Sequence, residues 1–278
     1  MDALYVFKHS PYNDFEIRYS LRSIERYAPY IRKVWIFGDR PAFLSDNKSL
    51  VECVPHKSLA PILGVTTPVT NFFLMLFLSS LIPDLSYEYL WFCDDFFLMA
   101  DFPIEEARKD RYLGDMSVAH SQPQFKRPRG LWRDCLWRTY ELLKRLGYSG
   151  YNFEPHVPTY LTKKRVLEAY RDLRDYVTED RWFGMLGPTA ILNHANSFER
   201  LDLVSIKDQG SRFGFWGSPP SYEEIVSVRH GKSFFNFDDN AFGPGIARFL
   251  CEMFPHRSRY ESDGDWPSWP EVVDHLTM

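Results

Sequence analysis

The chain has 278 residues, 45% of them hydrophobic and 25% charged, and carries a formal net charge of −4. That is enough chain for one large α/β domain or two small ones with a true core, and the acidic balance does not favour a general nucleic-acid or membrane-surface role. The aromatic share of 17% is high, as expected of a dense core or of a groove lined for sugars, bases or peptides. Cys53, Cys93, Cys135 and Cys251 have no CxxC spacing and read as reduced thiols of a cytosolic protein. The start "MDALYVFKHS" lacks a basic region followed by an apolar run, so no signal peptide is expected.

In chain order, "ALYVF" (3–7) is a short β-rich run and predicts the first strand. Residues 14–28 carry Ile17, Leu21 and Ile24 at helical spacing, with Asn13 or Asp14 as the expected N-cap. "KVWIFGD" (33–39) predicts a second strand, parallel to the first through a right-handed crossover. Residues 47–55 predict a third. The run "FFLMLFLSSLI" (72–82) is too short to span a bilayer and predicts a core helix, and "YEYLWFCDD" predicts the next strand. Alternating strands and helices up to about residue 120 predict a mostly parallel α/β sheet.

Beyond residue 120 the pattern loosens. Residues 121–130 form a basic, Pro-containing loop; 131–147 and 162–177 predict amphipathic helices, the first ended by Gly147. Residues 201–208 predict a strand, 208–221 a Gly/Pro/Ser loop, and 239–255 a segment that ends in a helix. The expected organisation is one domain with a ligand-binding α/β half at 1–120 and a second half at 121–278.

Ligands of such sheets sit beyond the carboxyl ends of the strands. Four features fall there: Lys8-His9-Ser10, Gly38-Asp39, the helix entry at Thr67–Asn71, and Asp94-Asp95. Neighbouring residues of a strand face opposite ways, so Asp94 and Asp95 cannot share one core. Their hard oxygens suit Mg²⁺ or Mn²⁺, which neutralises phosphate charge. The plainer reading has Asp95 capping the next segment and Asp94 paired with an arginine.

At this point the residues resemble a known group. "NDFEIRYSLRSIERYAPYIRKVWIFGDRPAFL" followed by "LWFCDDFFL" is similar to the N-terminal half of bacterial and phage glycosyltransferases with a GT-A, nucleotide-diphospho-sugar-binding fold. The same blocks resemble Stealth-type capsular polysaccharide phosphotransferases. "YNFEPHVPTYLTKKRVLEAY" matches a His-x-Pro block, and "FFNFDDNAFGPGIARFLCEMFPHRSRYE" a C-terminal one. The galactofuranosyltransferase-like branch is the most similar, through "CDDFF" and the "FP..S.YE" ending. Together these blocks span about a third of the chain.

The resemblance implies a sheet flanked by helices, with a helical and irregular acceptor region. The metal motif of such enzymes is Asp-x-Asp; here Cys93 replaces its first acid. Carried over, Asp95 is the direct ligand of Mn²⁺ or Mg²⁺ and Asp94 the second contact, with His156 and His194 as further candidate ligands. The resemblance sets the end of the first strand and the following helix beside the nucleotide. Arg18 then offers a fork for phosphate, with Lys8 close by, against the reading of a solvated helix face. His9, Ser10 and Asn13 are candidates for base or ribose, and Asp39 for a uracil N–H or a ribose hydroxyl. Thr67 and Asn71 match positions that face the nucleotide, and Lys207 or Arg212 can close over the diphosphate. An inverting transferase needs a base on the acceptor hydroxyl, for which Glu154, Asp134 and Asp180 are the candidates in that order. Trp132, Trp137, Trp182 and Trp216 are candidates for a sugar platform, Trp137 fitting a core position better.

The resemblance thus implies a UDP-sugar donor, galactofuranose being the candidate sugar, and a carbohydrate acceptor, free or lipid-linked, in bacterial surface-polysaccharide synthesis. The expected location is cytoplasmic, at most peripheral to the inner membrane face. Sugar-phosphate transfer of the Stealth type and a non-catalytic carbohydrate-binding subunit are the alternatives. The block "YTWVDGSD" typical of Stealth proteins does not occur in the sequence, which favours glycosyl transfer.

Overall fold

The computed structural model of the chain describes residues 1–64, 69–120, 131–180 and 184–264. The strands, in chain order, are β1 (Asp2–Phe7), β2 (Val34–Gly38), β3 (Val51–Val54), β4 (Glu88–Phe92), β5 (Phe97–Leu98), β6 (Asp110–Tyr112), β7 (Gly114–Asp115), β8 (Tyr151–Asn152), β9 (Thr159–Thr162), β10 (Leu203–Ser205), β11 (Arg212–Phe215) and β12 (Phe234–Phe237). The longer helices are α1 (Phe15–Tyr27), α2 (Phe72–Ser80), α3 (Leu131–Arg145), α4 (Lys163–Leu173), α5 (Gly187–Ala195), α6 (Tyr222–Val228) and α7 (Pro244–Met253). Among the described residues no helix is long and apolar enough to cross a membrane.

The central sheet has the order β3-β2-β1-β4-β9, parallel except for β9, which runs antiparallel to β4. Every residue of β1 and β2 is buried. Strands covered on both faces read as continuous apolar runs, which is why "ALYVF" and "VWIF" lack alternation. Where β1 and β2 end, Gly38 adopts φ +143°, and a Cβ there would sit 1.8 Å from the Phe7 carbonyl oxygen. Only glycine lets the two strand ends stay this close. The edge strand β9 comes from the second half of the chain, which therefore completes the sheet of the first half.

The expected elements of the first half are present with small changes of boundary. Asp14 stands at the N-cap position of α1 but does not cap it: its φ is +57° and its side chain turns back to accept from the Ser10 N–H at 3.0 Å. Asn71 caps α2 instead, accepting from the Phe73 and Leu74 N–H groups. The second half contains more regular structure than its composition predicts. The Gly-rich stretch holds β11, and α5 and α6 are both well formed.

A second sheet, β11-β12-β5, packs on a separate core of aromatic residues. Phe97, Phe213, Phe235 and Phe237 stack there, with centroids 4.6 Å apart for Phe213–Phe235 and 5.5 Å for Phe97–Phe237. Burying a phenylalanine contributes roughly 1.5–3 kcal/mol. Much of the high aromatic content is thus core. Helix α1 lies between the two cores: Ile17, Leu21 and Ile24 join the main one, Phe15 and Tyr19 the second.

One polar clasp ties α1 to the last described segment. Arg22 donates to both carboxylate oxygens of Glu261, at 2.7 and 2.8 Å, and to the Phe254 carbonyl at 3.0 Å. Arg18 Nε lies 3.7 Å from the same carboxylate, and its guanidinium sits over Phe43. The Ser258 N–H and hydroxyl donate to Glu261 as well, closing a turn. The Glu261 side chain is fully buried, so removing it strands two buried guanidinium groups. Glu261→Ala is expected to cost about 3–5 kcal/mol, read by urea unfolding. A loss below about 1 kcal/mol would show that the clasp does not hold the chain end.

Candidate active site

Strand β4 stops at Phe92, before the two acids. Cys93–Phe96 forms a tight turn, with the Phe96 N–H donating to the Cys93 carbonyl at 3.2 Å. Asp94 and Asp95 occupy its two central positions and are half-buried. Two serines of α1 fix the exit of this turn. The Ser20 hydroxyl donates to the Phe96 carbonyl at 2.5 Å, and the Leu98 N–H donates to the Ser23 hydroxyl at 3.1 Å. The Tyr5 hydroxyl shares a 2.6 Å hydrogen bond with Ser20, so β1, α1 and the carboxylate turn are held as one unit.

Two further acids reach the same edge. Glu16, in the first turn of α1, is buried and accepts from the Ser10 hydroxyl at 2.8 Å. Asp239 follows β12, and its carbonyl accepts from the Tyr12 hydroxyl at 3.2 Å. Burial raises the Glu16 carboxyl to about 8, with Asp94 and Asp239 adding repulsion. Burial likewise raises Asp94 and Asp95, which repel each other and feel Asp239; backbone N–H groups of the turn offset only part of this. The site therefore crowds acids whose ionisation is opposed by burial and by one another. Helix capping by Asp239 does not occur: Gly243 precedes α7, and Asp238 fastens the loop by accepting from the Gly217 and Ala241 N–H groups.

The loop from Lys8 to Asp14 closes one side. Asn13 and Asp14 both have positive φ, which Asn and Asp tolerate better than other side chains. Asp14 accepts from the Ser10 N–H and shares a 2.7 Å hydrogen bond with His9 Nδ1, and the His9 N–H donates to Asp39 at 3.0 Å. Lys8 and His9 are exposed at the end of β1. Asp39 also lines a cavity of about 520 Å³ at the ends of β2 and β3, together with Arg40, Cys53, His56 and Lys57. The His56 ring stands edge-on to Phe37 at 4.4 Å, and burial lowers its basicity.

The opposite side comes from the second half of the chain. His156 has φ +53° and its ring lies 6.2 Å from Phe96 and 6.4 Å from Trp132. Burial, with the nearby Arg212 charge, lowers its pKa to about 4, so the imidazole is neutral. Arg212 donates to the Pro155 carbonyl at 2.8 Å and sits 5.1 Å from the Trp216 ring. Glu154 accepts from the Thr189 N–H at 3.3 Å, in the first turn of α5, and burial raises its carboxyl to about 7. The left-handed backbone at His156 departs from extended geometry, so strand alternation does not set Glu154 and His156 in a common direction.

Several candidate residues stand elsewhere. Arg18 is spent on the Glu261 clasp rather than on phosphate. Asn71 is fully buried; it caps α2 and donates to the Met185 carbonyl at 3.1 Å, so it does not face a nucleotide. His194 is buried against Tyr148 and Phe198 and shares a 2.9 Å hydrogen bond with Asp172, which makes it a packing residue of α5 and not a metal ligand. Asp180 is exposed, its carbonyl accepting from the Asn71 amide and the Gly184 N–H. Asp134 lines a different cavity of about 930 Å³ along α3, with Trp137, Arg138 and Met185. Lys207 is exposed in a one-turn helix after β10, which pairs with β6 rather than with the carboxylate-bearing elements. Thr67 and Trp182 lie outside the described residues. Glu16 was not foreseen; its only sequence signal is an acid placed one residue before the apolar stripe of α1.

Among the described residues, no group of three or more His, Cys, Asp and Glu side chains is set to enclose a metal ion. Asp94 and Asp95 nonetheless fit Mg²⁺ or Mn²⁺ bound together with a diphosphate. Mg²⁺ commonly takes one or two carboxylates, substrate phosphates and water.

Residues 12–113 match the Stealth protein CR2, conserved region 2, a span that runs from the loop before α1 through the carboxylate turn. The capsular polysaccharide phosphotransferase of Neisseria meningitidis serogroup B is 25% identical over 173 residues, which is 61% of this chain and 44% of that protein. The chain thus spans less than half the length of this curated relative. Among solved structures, an active-site mutant of LgtC is similar with a TM-score of 0.50 and 12% identity, over 98% of this chain and all of that one. Mouse xyloside xylosyltransferase 1 has a TM-score of 0.45 and 11% identity, over 87% of this chain and 98% of that one. The chain has a GT-A-type fold, and its residues 12–113 are similar to conserved region 2 of Stealth proteins.

The raised acids have a consequence for stability. The Glu16 carboxyl titrates near 4.5 when unfolded and near 8 when folded, so the fold holds its proton more tightly. Its stabilising contribution is complete below the unfolded value and is lost as pH rises through the folded one. In the presence of a chelator, Tm is expected to fall between about pH 5 and about pH 8, and Glu16→Gln to flatten that fall. An identical pH profile for the variant would refute the assignment.

Proposed function

We propose that this chain is a metal-dependent transferase that takes a sugar from a nucleotide sugar and places it on a carbohydrate hydroxyl. The observation that carries the reading is the convergence of Asp94, Asp95, Glu16 and Asp239 at the carboxyl edge of a GT-A-type sheet, beside a cavity of nucleoside size. Nucleotides bind such sheets at that edge.

The base and ribose enter the cavity of about 520 Å³, where Asp39 accepts from an imide N–H or a ribose hydroxyl. That preference favours UDP over a nucleotide without an imide donor. Asp95 and Asp94 hold Mn²⁺ or Mg²⁺ against the diphosphate; the ion supplies electrostatic stabilisation of the leaving group. His156 and Arg212 border the same region. His156 is neutral and able to accept a proton or a ligand, while Arg212 supplies positive charge close to it.

The acceptor hydroxyl needs a base. Glu154 suits this role because burial sets its carboxyl near the operating pH. Through its resemblance the chain belongs in bacterial surface-polysaccharide synthesis, with galactofuranose as the candidate sugar. Its inverting outcome, its acceptor and a peripheral place on the inner membrane face are part of the same proposal.

A second reading is transfer of a sugar phosphate, with the acceptor attacking phosphorus instead of the anomeric carbon. The CR2 match, which includes the carboxylate turn, and the capsular polysaccharide phosphotransferase relative favour it. The product separates the two. Phosphorus NMR of the product is expected to show no phosphodiester signal; such a signal would replace glycosyl transfer by phosphate transfer.

Two measurements test the shared part. Asp95→Ala is expected to abolish the Mn²⁺-dependent rise in Tm given by UDP and to lower kcat/KM by about 10²–10³. Equal UDP and Mn²⁺ binding by wild type and variant would sink the site. The profile of kcat/KM against pH should rise through about 7, since the base works deprotonated, and Glu154→Gln should remove that limb. A limb that survives the substitution assigns the base to another residue.

A further inference from the structure

Asn236, in the middle of β12, is 1% exposed, yet among the described residues neither its Nδ2 nor its Oδ1 has a hydrogen-bond partner. Buried amides are nearly always paired, and an exception calls for an explanation. Its neighbours show where it points. Phe235 and Phe237 enter the aromatic core, so Asn236 faces the other side of the small sheet. The parallel register places Arg212 opposite Phe234 and Gly214 opposite Asn236, which puts all four on that face. Arg212 there holds the Pro155 carbonyl beside His156, and His156 stands 6.2 Å from Phe96 at the end of the carboxylate turn. Three residues after Asn236 comes Asp239 of the acidic cluster.

Gly214 leaves room for the amide. A Cβ at that position would come within 2.8 Å of Asn236 Oδ1 and 2.9 Å of Trp216 Cη2, so the amide and the indole meet over the glycine. Trp216 is 48% exposed and is followed by Gly217 at φ +84°. It covers a polar group that nothing among the described residues satisfies.

We propose that Asn236, roofed by Trp216, reads the hydroxyls of the donor sugar. An amide offers one acceptor and two donors in a plane, which suits two neighbouring hydroxyls of a pyranose or furanose ring. The indole supplies an apolar face against which such a ring packs, with the Arg212 guanidinium 5.1 Å over its other face. Arg212 ties this face to the Pro155–His156 segment and so to Phe96 of the carboxylate turn, which is where the sugar attached to the diphosphate would lie rather than the incoming acceptor. This inference rests on the nucleotide-sugar reading above and adds a specificity residue to it.

The test separates sugar from nucleotide. Calorimetry in Mn²⁺ measures Kd for UDP, UDP-glucose, UDP-galactose and UDP-N-acetylglucosamine with wild type and Asn236→Leu. The variant is expected to keep the UDP Kd within about twofold and to weaken the best-bound UDP-sugar by about tenfold. Its Tm should not fall, because replacing an unpartnered amide by an apolar group of similar size removes no hydrogen bond. Trp216→Ala, at an exposed position, carries the same selective loss and decides the matter if the leucine variant does not fold. Unchanged UDP-sugar binding, or an equal loss for UDP and UDP-sugar, overturns the role of Asn236 while leaving the nucleotide site standing. Failure of wild type to bind any of the four overturns the nucleotide-sugar reading and this inference with it.

Discussion

Crowded carboxylates at one edge of the sheet are the constraint around which the rest of the chain is arranged. Asp94 and Asp95 sit at the corner of a tight turn, Glu16 rises from the first turn of α1, and Asp239 follows β12. Like charges in a desolvated site oppose folding, and each raises the pKa of the others. Such an arrangement persists only if the surrounding structure fixes it. Here Ser20 and Ser23 clamp the backbone of the turn, Tyr5 locks Ser20, and two separate cores grip α1 from both sides. The hydrophobic effect supplies the stabilisation that the acids take away.

The clasp on Glu261 belongs to the same design. Helix α1 carries a site acid on its first turn, so its position must be set by more than apolar contacts, which are non-directional. The paired hydrogen bonds from Arg22 to Glu261 are directional, and they connect the helix to the segment that also pairs Leu44 with Glu261. The "RYSLRSIE" and "SRYE" blocks, more than two hundred residues apart in sequence, are one interaction in space. Reading Arg18 as a phosphate ligand overlooked that a helix buried on both sides needs an internal partner for its cations.

The parallel sheet was legible because its signals are local. Apolar runs, helical spacing and glycine at strand ends lie within a few residues of one another, and β1 to β4 follow from them. Convergence at the strand ends was legible for the same reason, and it brought Asp39, Asp94 and Asp95 to one edge. What was hidden depends on pairing across long sequence distances. Strand β9 joins β4 from the other half of the chain, β12 joins β5, and no local pattern announces either. Asn71 is set beside the nucleotide by resemblance and His194 is a candidate ligand by its imidazole, but the fold uses both side chains internally. Asn71 caps a helix and holds the Met185 carbonyl, while His194 is satisfied by Asp172. Glu16 and Asn236 were missed because burial, not spacing, makes them unusual.

The absence of a closed cation cage among the described residues bears on how a metal and a nucleotide would bind under the proposed reading. Two carboxylates alone make a weak site for a strongly hydrated ion, and a diphosphate alone adds to the repulsion that already opposes ionisation of Glu16, Asp94 and Asp95. Each ligand supplies what the other lacks: the ion offsets the charge, and the phosphates complete the ion's oxygen shell. Their affinities are then coupled, and linkage requires that each strengthens the other by the same factor. Under that reading the edge is a half-built site: burial holds protons on Glu16, Asp94 and Asp95, and an ion bound together with the diphosphate would favour their release.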